Sequence, residues 1–297
     1  MNPNAGELQA AWPWFLPAVA AIAGACVGSF LNVAIRRLPA GESTVSPRSH
    51  CACGAPIAWR DNVPIVSWLI LRGRARCCGR RISARYPLVE GLTALLFLAC
   101  WLRYPPAEAA CGAVFLSALV AGAFIDAEHM IIPDVLTFGL AFGGVMLSFI
   151  VPGLHGEHGG GPFALDSIRS GCSAIAGLIV GSGLLLWIAL PAEALLKKEA
   201  LGFGDVKLIG AIGSFCGWQG AVFAVFAGAI VGALWIAASL LWKNRPGRAA
   251  QSAGGGVPWG LRVPFGPMLS IGAALYFLAL RAPVDAWFTQ ASALFQS

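Results

Sequence analysis

The feature that most restricts the fold is a series of apolar stretches that contain almost no charged residues. They lie near residues 14–35, 87–103, 109–125, 131–151, 170–195, 206–217, 219–242 and 265–281. Charged residues make up 11% of the chain, against about 25% in an ordinary soluble domain, so polar groups cannot cover a globular surface. A helix that crosses a bilayer takes about 20 apolar residues. The sequence therefore predicts an all-α, polytopic transmembrane helical bundle with about eight spans.

The stretch at 206–217 is shorter than a full crossing, and the stretch at 219–242 follows it at once. Gly213, Gly217 and Gly220 surround the junction, so the boundary between the two helices stays open. We expect eight spans, or seven if the two stretches do not cross separately. No small-residue cleavage site follows the first stretch, which favours a retained span over a signal peptide.

Basic residues indicate which side of the membrane each loop faces. Ten of the twenty Lys and Arg residues lie between Arg36 and Arg85. An outer N-terminus places seventeen of the twenty in inner loops or their flanks, as the positive-inside rule requires. The predicted divisions are a first span over 1–35, a cytoplasmic basic and cysteine-containing loop over 36–86, a transmembrane core over 87–281 and an interfacial tail over 282–297. Glycine-rich segments at 152–168 and 243–260 are predicted to be flexible loops.

Three aspartates lie at inner ends of apolar stretches, namely Asp126, Asp134 and Asp205. Charged groups in a bilayer are costly, and those that persist are usually paired or functional. Two aspartates held close can share one proton and act as base toward a water and acid toward a substrate carbonyl, as in aspartic proteases. Helix capping, pairing with Lys207 and ion coupling in a transporter fit the same placement. The residues alone do not decide whether Asp126 or Asp134 partners Asp205.

The residues around Asp205 suggest how a substrate would approach it. Gly202 and Gly204 lack side chains, so they would let a peptide backbone lie close to the carboxylate and would permit unusual dihedral angles. A plain loop or close helix packing explains the same glycines. Lys207 either holds Asp205 in place through its charge or extends toward lipid headgroups.

Four of the nine cysteines lie in the basic loop, and these are Cys51, Cys53, Cys77 and Cys78. Four thiolates bind Zn²⁺ tetrahedrally, and a loop in a reducing compartment favours a metal over a disulfide. Adjacent cysteines ligate one metal only with a contorted backbone, which makes Cys77 the weakest of the four candidate ligands. A loop with free thiols stays an alternative.

The segments "IDAEHMIIPD" at 125–134 and "GFGDVKL" at 202–208 resemble the type IV prepilin peptidase family, membrane aspartic proteases of the Gly-x-Gly-Asp type. Other segments resemble the family in the same order along nearly the whole chain. They are "GSFLNVAIRRLP" at 28–39, "NVPIVSWLILRGRARCCGRRISARYPLVEGLTA" at 62–94 and "VPFGPML" at 263–269.

The resemblance implies that Asp126 and Asp205 form the catalytic pair, whereas Asp134 matches a frequent family position outside the pair. It implies cleavage of the basic leader from type IV prepilins and type II secretion pseudopilins, after a glycine, at the cytoplasmic face of the bacterial inner membrane. It also implies methylation of the new N-terminal amine with S-adenosylmethionine, although no residues are indicated to bind this cofactor. The family usually has two Cys-x-x-Cys pairs, and Ala75 stands where one of its cysteines would align.

Two other function classes remain beside the endopeptidase. The first is an ion-coupled membrane transporter that uses the same carboxylates, and the second is a methyltransferase without protease activity. No Rossmann-type fingerprint supports the methyltransferase, because the glycine clusters at 159–161 and 254–256 lie in predicted loops. The basic loop lacks the interleaved aromatic residues of a single-stranded nucleic-acid site, so we expect membrane lipid rather than nucleic acid as its neighbour.

Overall fold

The computed structural model describes residues 12–47, 49–51, 53–156, 162–197, 202–243 and 264–294. Within these ranges the chain is helical, and its only strand-like features are isolated bridges that join His50 to Pro56 and Arg74 to Arg81. The all-α prediction is confirmed. Of the two segments predicted to be flexible loops, 157–161 and 244–260 lie outside the described residues. For the rest of 152–168 the prediction is wrong in part, because Pro152–His155 forms a 3-10 turn and a long helix begins at Phe163.

The helices follow the apolar stretches of the sequence. They are α1 (Phe15–Arg37), α2 (Val66–Ile70), α3 (Arg85–Arg103), α4 (Pro106–His129), α5 (Asp134–Ile150), α6 (Phe163–Leu196), α7 (Phe203–Lys243), α8 (Gly266–Leu275) and α9 (Arg281–Leu294). Short 3-10 turns occupy Trp59–Asn62 and Pro152–His155, and a π-helical turn over Tyr276–Leu280 joins α8 to α9.

Six stretches of helix among the described residues are long and apolar enough to cross a membrane. They are Phe15–Arg37, Arg85–Arg103, Pro106–His129, Phe163–Leu195, Phe203–Leu241 and Gly266–Leu294. Helix α5 is also apolar but has only 17 residues. Large apolar side chains such as Ile22, Leu95 and Phe142 are more than half exposed, which is stable where lipid rather than water surrounds the helices. The protein is a polytopic membrane protein.

Helix α7 is interrupted at Gly217, where the chain reverses direction. Gly217 has φ 70° and ψ 179°, a conformation that is essentially restricted to glycine. A Cβ atom built on Gly181 would lie 2.7 Å from the carbonyl oxygen of Ile209 and 3.1 Å from Cβ of Ala221. On an unbroken helix those two residues would be about 18 Å apart. Helix α7 is therefore two segments that lie side by side, and the described residues contain the expected eight apolar helical segments.

The helices group into two compact units. One unit comprises Met1–Ile125 with Met146–Ser170, and the other comprises Asp126–Val145 with Gly171–Ser297. The division passes through α4, α5 and α6. Asp126, Asp134 and Asp205 belong to the second unit, and the four loop cysteines belong to the first.

Within the first unit, α1 packs against α3 with the two backbones in contact. A Cβ atom on Gly24 would lie 2.7 Å from the carbonyl oxygen of Thr93, and one on Gly28 would lie 2.7 Å from Cα of Glu90. Small residues spaced four apart allow this approach, and dispersion contacts then hold the helices together in lipid. The Glu90 carboxylate accepts a hydrogen bond of 2.7 Å from the backbone N–H of Ile65, which ties the cysteine-containing loop to α3.

We predict that Gly28→Ala destabilises the protein by about 1–3 kcal/mol, because the added methyl group would clash with backbone atoms of α3, which cannot move aside as a side chain can. The measurement is the unfolding transition of the purified protein in detergent. Gly91→Ala is the matched control, since its nearest neighbour is Ile65 Cδ1 at 4.0 Å. Equal unfolding transitions for the two variants would contradict the packing described here.

Candidate active site

Three helix ends meet in the second unit. Asp126 lies in the last turn of α4, Asp205 lies in the first turn of α7, and Gly266 is the first residue of α8. Helix α4 ends because Met130 adopts a positive φ of 55°, and Pro133 then favours a new helix start at Asp134. This short turn places the side chain of Ile132 among the three helix ends.

Asp126 is buried, with 6% of its surface exposed, and it accepts a hydrogen bond from α8. The backbone N–H of Gly266 donates to its Oδ2 atom at 2.9 Å. The first N–H groups of a helix have no partner within the helix and carry partial positive charge, so they suit a carboxylate.

Asp205 is equally buried, at 9% exposure, and shares a neighbourhood with Asp126. Cβ atoms built on Gly204 and Gly266 would lie 3.4 Å from Ile132 Cβ and 3.2 Å from Ile132 Cδ1. One isoleucine side chain therefore contacts the backbone beside both aspartates, and the two carboxyl groups are close enough to interact electrostatically. No hydrogen bond joins them in the part of the chain that the structure describes.

Of the two glycines before Asp205, Gly202 lies beside the carboxyl group and Gly204 faces Ile132. A Cβ atom on Gly202 would lie 3.4 Å from Oδ2 of Asp205, and the nearest atom to one on Gly204 would be Ile132 Cβ at 3.4 Å. Neither glycine has a left-handed φ, so the unusual dihedral angles that glycine would permit are not used here. The missing side chain of Gly202 leaves space beside the carboxylate.

Lys207 pairs with Asp134 and not with Asp205. Its Nζ atom lies 2.6 Å from Oδ1 of Asp134 and sits over the rings of Phe138 and Phe203, at 5.2 and 5.0 Å from their centroids. Residues two apart on a helix do not face each other, so Lys207 points away from Asp205 and toward α5. Of the roles that the sequence left open for Lys207, the structure shows pairing with one of the three aspartates, and that aspartate is Asp134 rather than Asp205.

The four loop cysteines form one cluster in the first unit. Their sulfur atoms all lie within 4.8 Å of one another, with 3.6 Å between Cys51 and Cys78 and 3.4 Å between Cys53 and Cys77. Four sulfur atoms around a tetrahedral Zn²⁺ at about 2.3 Å would be separated by about 3.8 Å. The donor set therefore fits a metal ion.

Two glycine-containing turns bring the adjacent cysteines into this cluster. Gly54 and Gly79 follow the two cysteine pairs and have φ values of 86° and 69°, which favour glycine. The N–H of Gly79 donates to the carbonyl of Ala75, and that of Gly54 donates to the carbonyl of Cys51. Cys77 was the weakest candidate ligand from the sequence, and its sulfur atom lies in the cluster with the other three because the turn at Gly79 supplies the contortion that adjacent ligands need.

The cluster shifts the pKa values of two of its thiols in opposite directions. Hydrogen bonds from the backbone of Cys53 and from the thiols of Cys77 and Cys78 lower the pKa of Cys51 to about 6. Hydrogen bonds with Cys51 and Cys53 raise the pKa of Cys77 to about 12. A network that already stabilises one thiolate is compatible with a cation among the four sulfur atoms.

The structure indicates no residues for S-adenosylmethionine. The described residues contain no strand that could precede a phosphate- or nucleotide-binding glycine loop. The glycine clusters at 159–161 and 254–256 lie outside the described residues.

Comparison with known proteins gives two adjacent family matches. Residues 22–104 match the model for the bacterial peptidase A24 N-terminal domain, and residues 113–237 match the model for the type IV leader peptidase family. There is no significant match among solved structures.

Curated relatives match over most of the chain. A prepilin leader peptidase/N-methyltransferase of Myxococcus xanthus is 40% identical over 73% of this chain and 62% of its own length. A protein of the same description from Klebsiella pneumoniae is 39% identical over 72% of this chain and 90% of its own length. A type 4 prepilin-like proteins leader peptide-processing enzyme of Escherichia coli is 34% identical over 91% of this chain and 97% of its own length.

The fold and the site define an integral-membrane helical protein with two buried aspartates at neighbouring helix ends. Together with these matches, this identifies the chain as a member of the type IV leader peptidase family.

Three glycines of the two sites were not predicted. Gly54, Gly79 and Gly266 have no functional group, so a search for reactive side chains passes over them. A signal was present for Gly266, since proline immediately follows it in "FGP" and proline marks a helix start. The hydrogen bond across 140 residues to Asp126 has no counterpart in any local pattern.

We predict that the pair between Asp134 and Lys207 contributes at most about 1 kcal/mol to stability, because the Asp134 side chain is 60% exposed. A double-mutant cycle of Asp134→Asn and Lys207→Gln, followed by thermal unfolding in detergent at low and high salt, measures the coupling. A coupling well above this value that is insensitive to salt would contradict the exposed character of the pair.

Proposed function

We propose that this protein is a membrane aspartic endopeptidase that removes the basic leader from type IV prepilins, with Asp126 and Asp205 as its catalytic residues. The observation that carries the proposal is the burial of two carboxyl groups at helix ends that pack on the same side chain, that of Ile132. Membership of the family and the names of the relatives support the choice of substrate. Pseudopilins of type II secretion are included as substrates of the same chemistry.

The pair would act with one proton between its two carboxyl groups. The ionised carboxylate takes a proton from a water, whose oxygen forms a bond to the carbonyl carbon of the glycine before the scissile bond, while the protonated carboxyl gives its proton to the carbonyl oxygen. The tetrahedral intermediate then collapses, the C–N bond breaks, and the leaving amine takes up a proton. One water is consumed, the pair regains its single proton, and no acyl-enzyme forms.

The substrate would approach from the side that Gly202 leaves open. We place the N-terminus outside and the aspartates at the cytoplasmic face of the bacterial inner membrane, in agreement with the concentration of basic residues in 36–86. The apolar stem of the prepilin would lie among the helices, with its leader in the cytoplasm. The division into a first span, loop, protease core and interfacial tail belongs to this proposal.

The second proposed activity is methylation of the new N-terminal amine with S-adenosylmethionine. It rests on the N-methyltransferase names of the relatives. When bound, this co-substrate would supply the methyl group.

We also propose a structural zinc ion in the loop, held by Cys51, Cys53, Cys77 and Cys78. A bound ion would join the turn after Cys53 to the turn after Cys78, and so would fix a loop segment that contains no long helix. The ion pair between Arg76 and Asp61, with N–O distances of 2.9 to 3.1 Å, reinforces the second of these turns.

We predict that Asp126→Asn and Asp205→Asn each lower leader cleavage by about 10²-fold to 10⁴-fold or more, because each change removes a general acid or base. The measurement is leader removal from a prepilin by the purified protein, followed by the mass of the product. Asp134→Asn is the matched control, since this nearby aspartate is engaged by Lys207, and we expect it to cleave.

The same experiment separates the alternatives. An ion-coupled transporter would move solute in a manner dependent on Asp126 and Asp205 and would leave the prepilin intact. A methyltransferase without protease activity would add one methyl group to a mature pilin peptide and would never shorten the precursor. Cleavage at the unaltered rate by either asparagine variant would refute the pair.

We predict about one zinc ion per chain in protein purified without chelator, with loss of the metal in Cys53→Ser/Cys78→Ser because two of four ligands are removed. Elemental analysis of the purified protein measures the metal content. Cys172→Ser is the matched control, because Cys172 is exposed and belongs to α6 rather than to the loop. Zinc content that does not depend on the loop cysteines would exclude this site.

A further inference from the structure

Gly266 combines two properties that act on one carboxyl group. As the first residue of α8, its N–H has no acceptor inside the helix, and it donates instead to Oδ2 of Asp126 at 2.9 Å. The interaction is buried, so no water competes for it. A buried hydrogen bond of ordinary length to a carboxylate orients that group as well as stabilising its ionised form.

There is no room for a side chain at Gly266, because the Asp126 carboxyl group lies too close. A Cβ atom there would lie 2.8 Å from Oδ2 and 3.2 Å from Cγ of Asp126, and 3.2 Å from Cδ1 of Ile132. The first distance is below any normal carbon–oxygen contact, so the aspartate or the helix end would have to move. Gly266 has no left-handed φ, so its conformation does not demand glycine.

Helix stability alone would favour another residue at position 266. Glycine is less favourable than alanine in a helix by about 1 kcal/mol in the interior, and the capping position before this helix belongs to Phe265, so glycine is not needed at position 266 as a cap. A local preference that is broken without a conformational reason is typical of functional sites. Here the close approach to Asp126 supplies the reason.

We propose that Gly266 is a positioning residue for Asp126, which it orients through its backbone N–H and through the space that its missing side chain leaves. This inference rests on the proposed endopeptidase activity. Because the N–H takes up one acceptor site on Oδ2, we assign the water or the shared proton to Oδ1, which accepts nothing from Gly266. Gly266 itself does not touch the reacting atoms.

The first test is Gly266→Ala, assayed for cleavage of a prepilin at varied substrate concentration. We expect kcat to fall by about 10²-fold, the loss typical of a misplaced catalytic group, while KM stays within about threefold. Gly139→Ala is the matched control, because a Cβ atom there has no neighbour within 4 Å, and we expect it to retain kcat. Unaltered kcat in Gly266→Ala would overturn the proposal.

A second variant separates positioning from packing. The new methyl group would also press on Ile132 Cδ1, and Ile132→Val removes that atom. We expect Gly266→Ala/Ile132→Val to stay as impaired as Gly266→Ala, because the conflict with Asp126 persists. Recovery of kcat in the double variant, with Ile132→Val alone as the reference, would show a packing defect and would overturn the proposal.

A third measurement needs no change at Gly266 and therefore holds even where its variants fail to fold. Labelling phenylalanine carbonyl carbons with ¹³C and glycine nitrogens with ¹⁵N selects the four Phe-Gly pairs of the chain, at Gly139, Gly143, Gly204 and Gly266. We expect Asp126→Ala to shift the Gly266 amide proton upfield and to speed its exchange with solvent, relative to unaltered protein. No change in that signal would overturn the proposal.

The outcomes distinguish this inference from the function on which it rests. If the unaltered protein removes no leader, the proposed endopeptidase is refuted and Gly266 loses its catalytic meaning. If Asp126→Asn abolishes cleavage while Gly266→Ala cleaves normally, the endopeptidase stands and the positioning role alone is refuted.

Discussion

The structure of the second unit depends on how carboxyl groups are accommodated in an apolar helical bundle. A buried carboxylate needs a hydrogen-bond donor or a cation, because lipid and apolar side chains supply neither. Asp126 receives the free N–H of Gly266, Asp205 lies in the first turn of α7, and Asp134 receives Lys207. Of these three, Asp126 and Asp205 are buried, and one isoleucine side chain, Ile132, packs beside both. The helix ends are therefore brought together by the same groups that would perform the chemistry.

Small residues make these arrangements sterically feasible. In each unit, helices meet with backbone against backbone, as at Gly28 beside Glu90 and at Gly177 beside Gly213. Association of helices in lipid relies on such close packing rather than on the hydrophobic effect. Gly266 extends the principle from packing to the site, because there the close neighbour is a carboxylate rather than another backbone. The loop of the first unit follows a different principle, in which glycine turns and a cluster of thiols organise a segment outside the membrane-length helices.

Prediction from the sequence was accurate where a feature depends on the chain's own periodicity or composition. The apolar stretches anticipated the helices, and the reversal at Gly217 lies inside the junction that three glycines marked. It left alternatives open where a side chain has a choice of partners. Lys207 could hold Asp205, pair with another of the three aspartates or extend toward lipid headgroups, and it pairs with Asp134 on another helix. Cys77 was placed last among the four candidate ligands, because the effect of a left-handed Gly79 on an adjacent pair depends on backbone geometry that the sequence does not show.

The sequence by itself determined that this chain is a helical membrane protein. Apolar runs of this length and number belong in lipid, where a helix satisfies the backbone hydrogen bonds within each run. It also narrowed the chemistry to carboxyl groups, since so few charges occur within those runs. Only the tertiary structure decided that Asp126 and Asp205 share a neighbourhood while Asp134 is engaged elsewhere, and that the backbone of Gly266 completes the surroundings of Asp126. Those relations join residues far apart in the chain, and they follow from how helix ends are packed, which no local pattern of residues encodes.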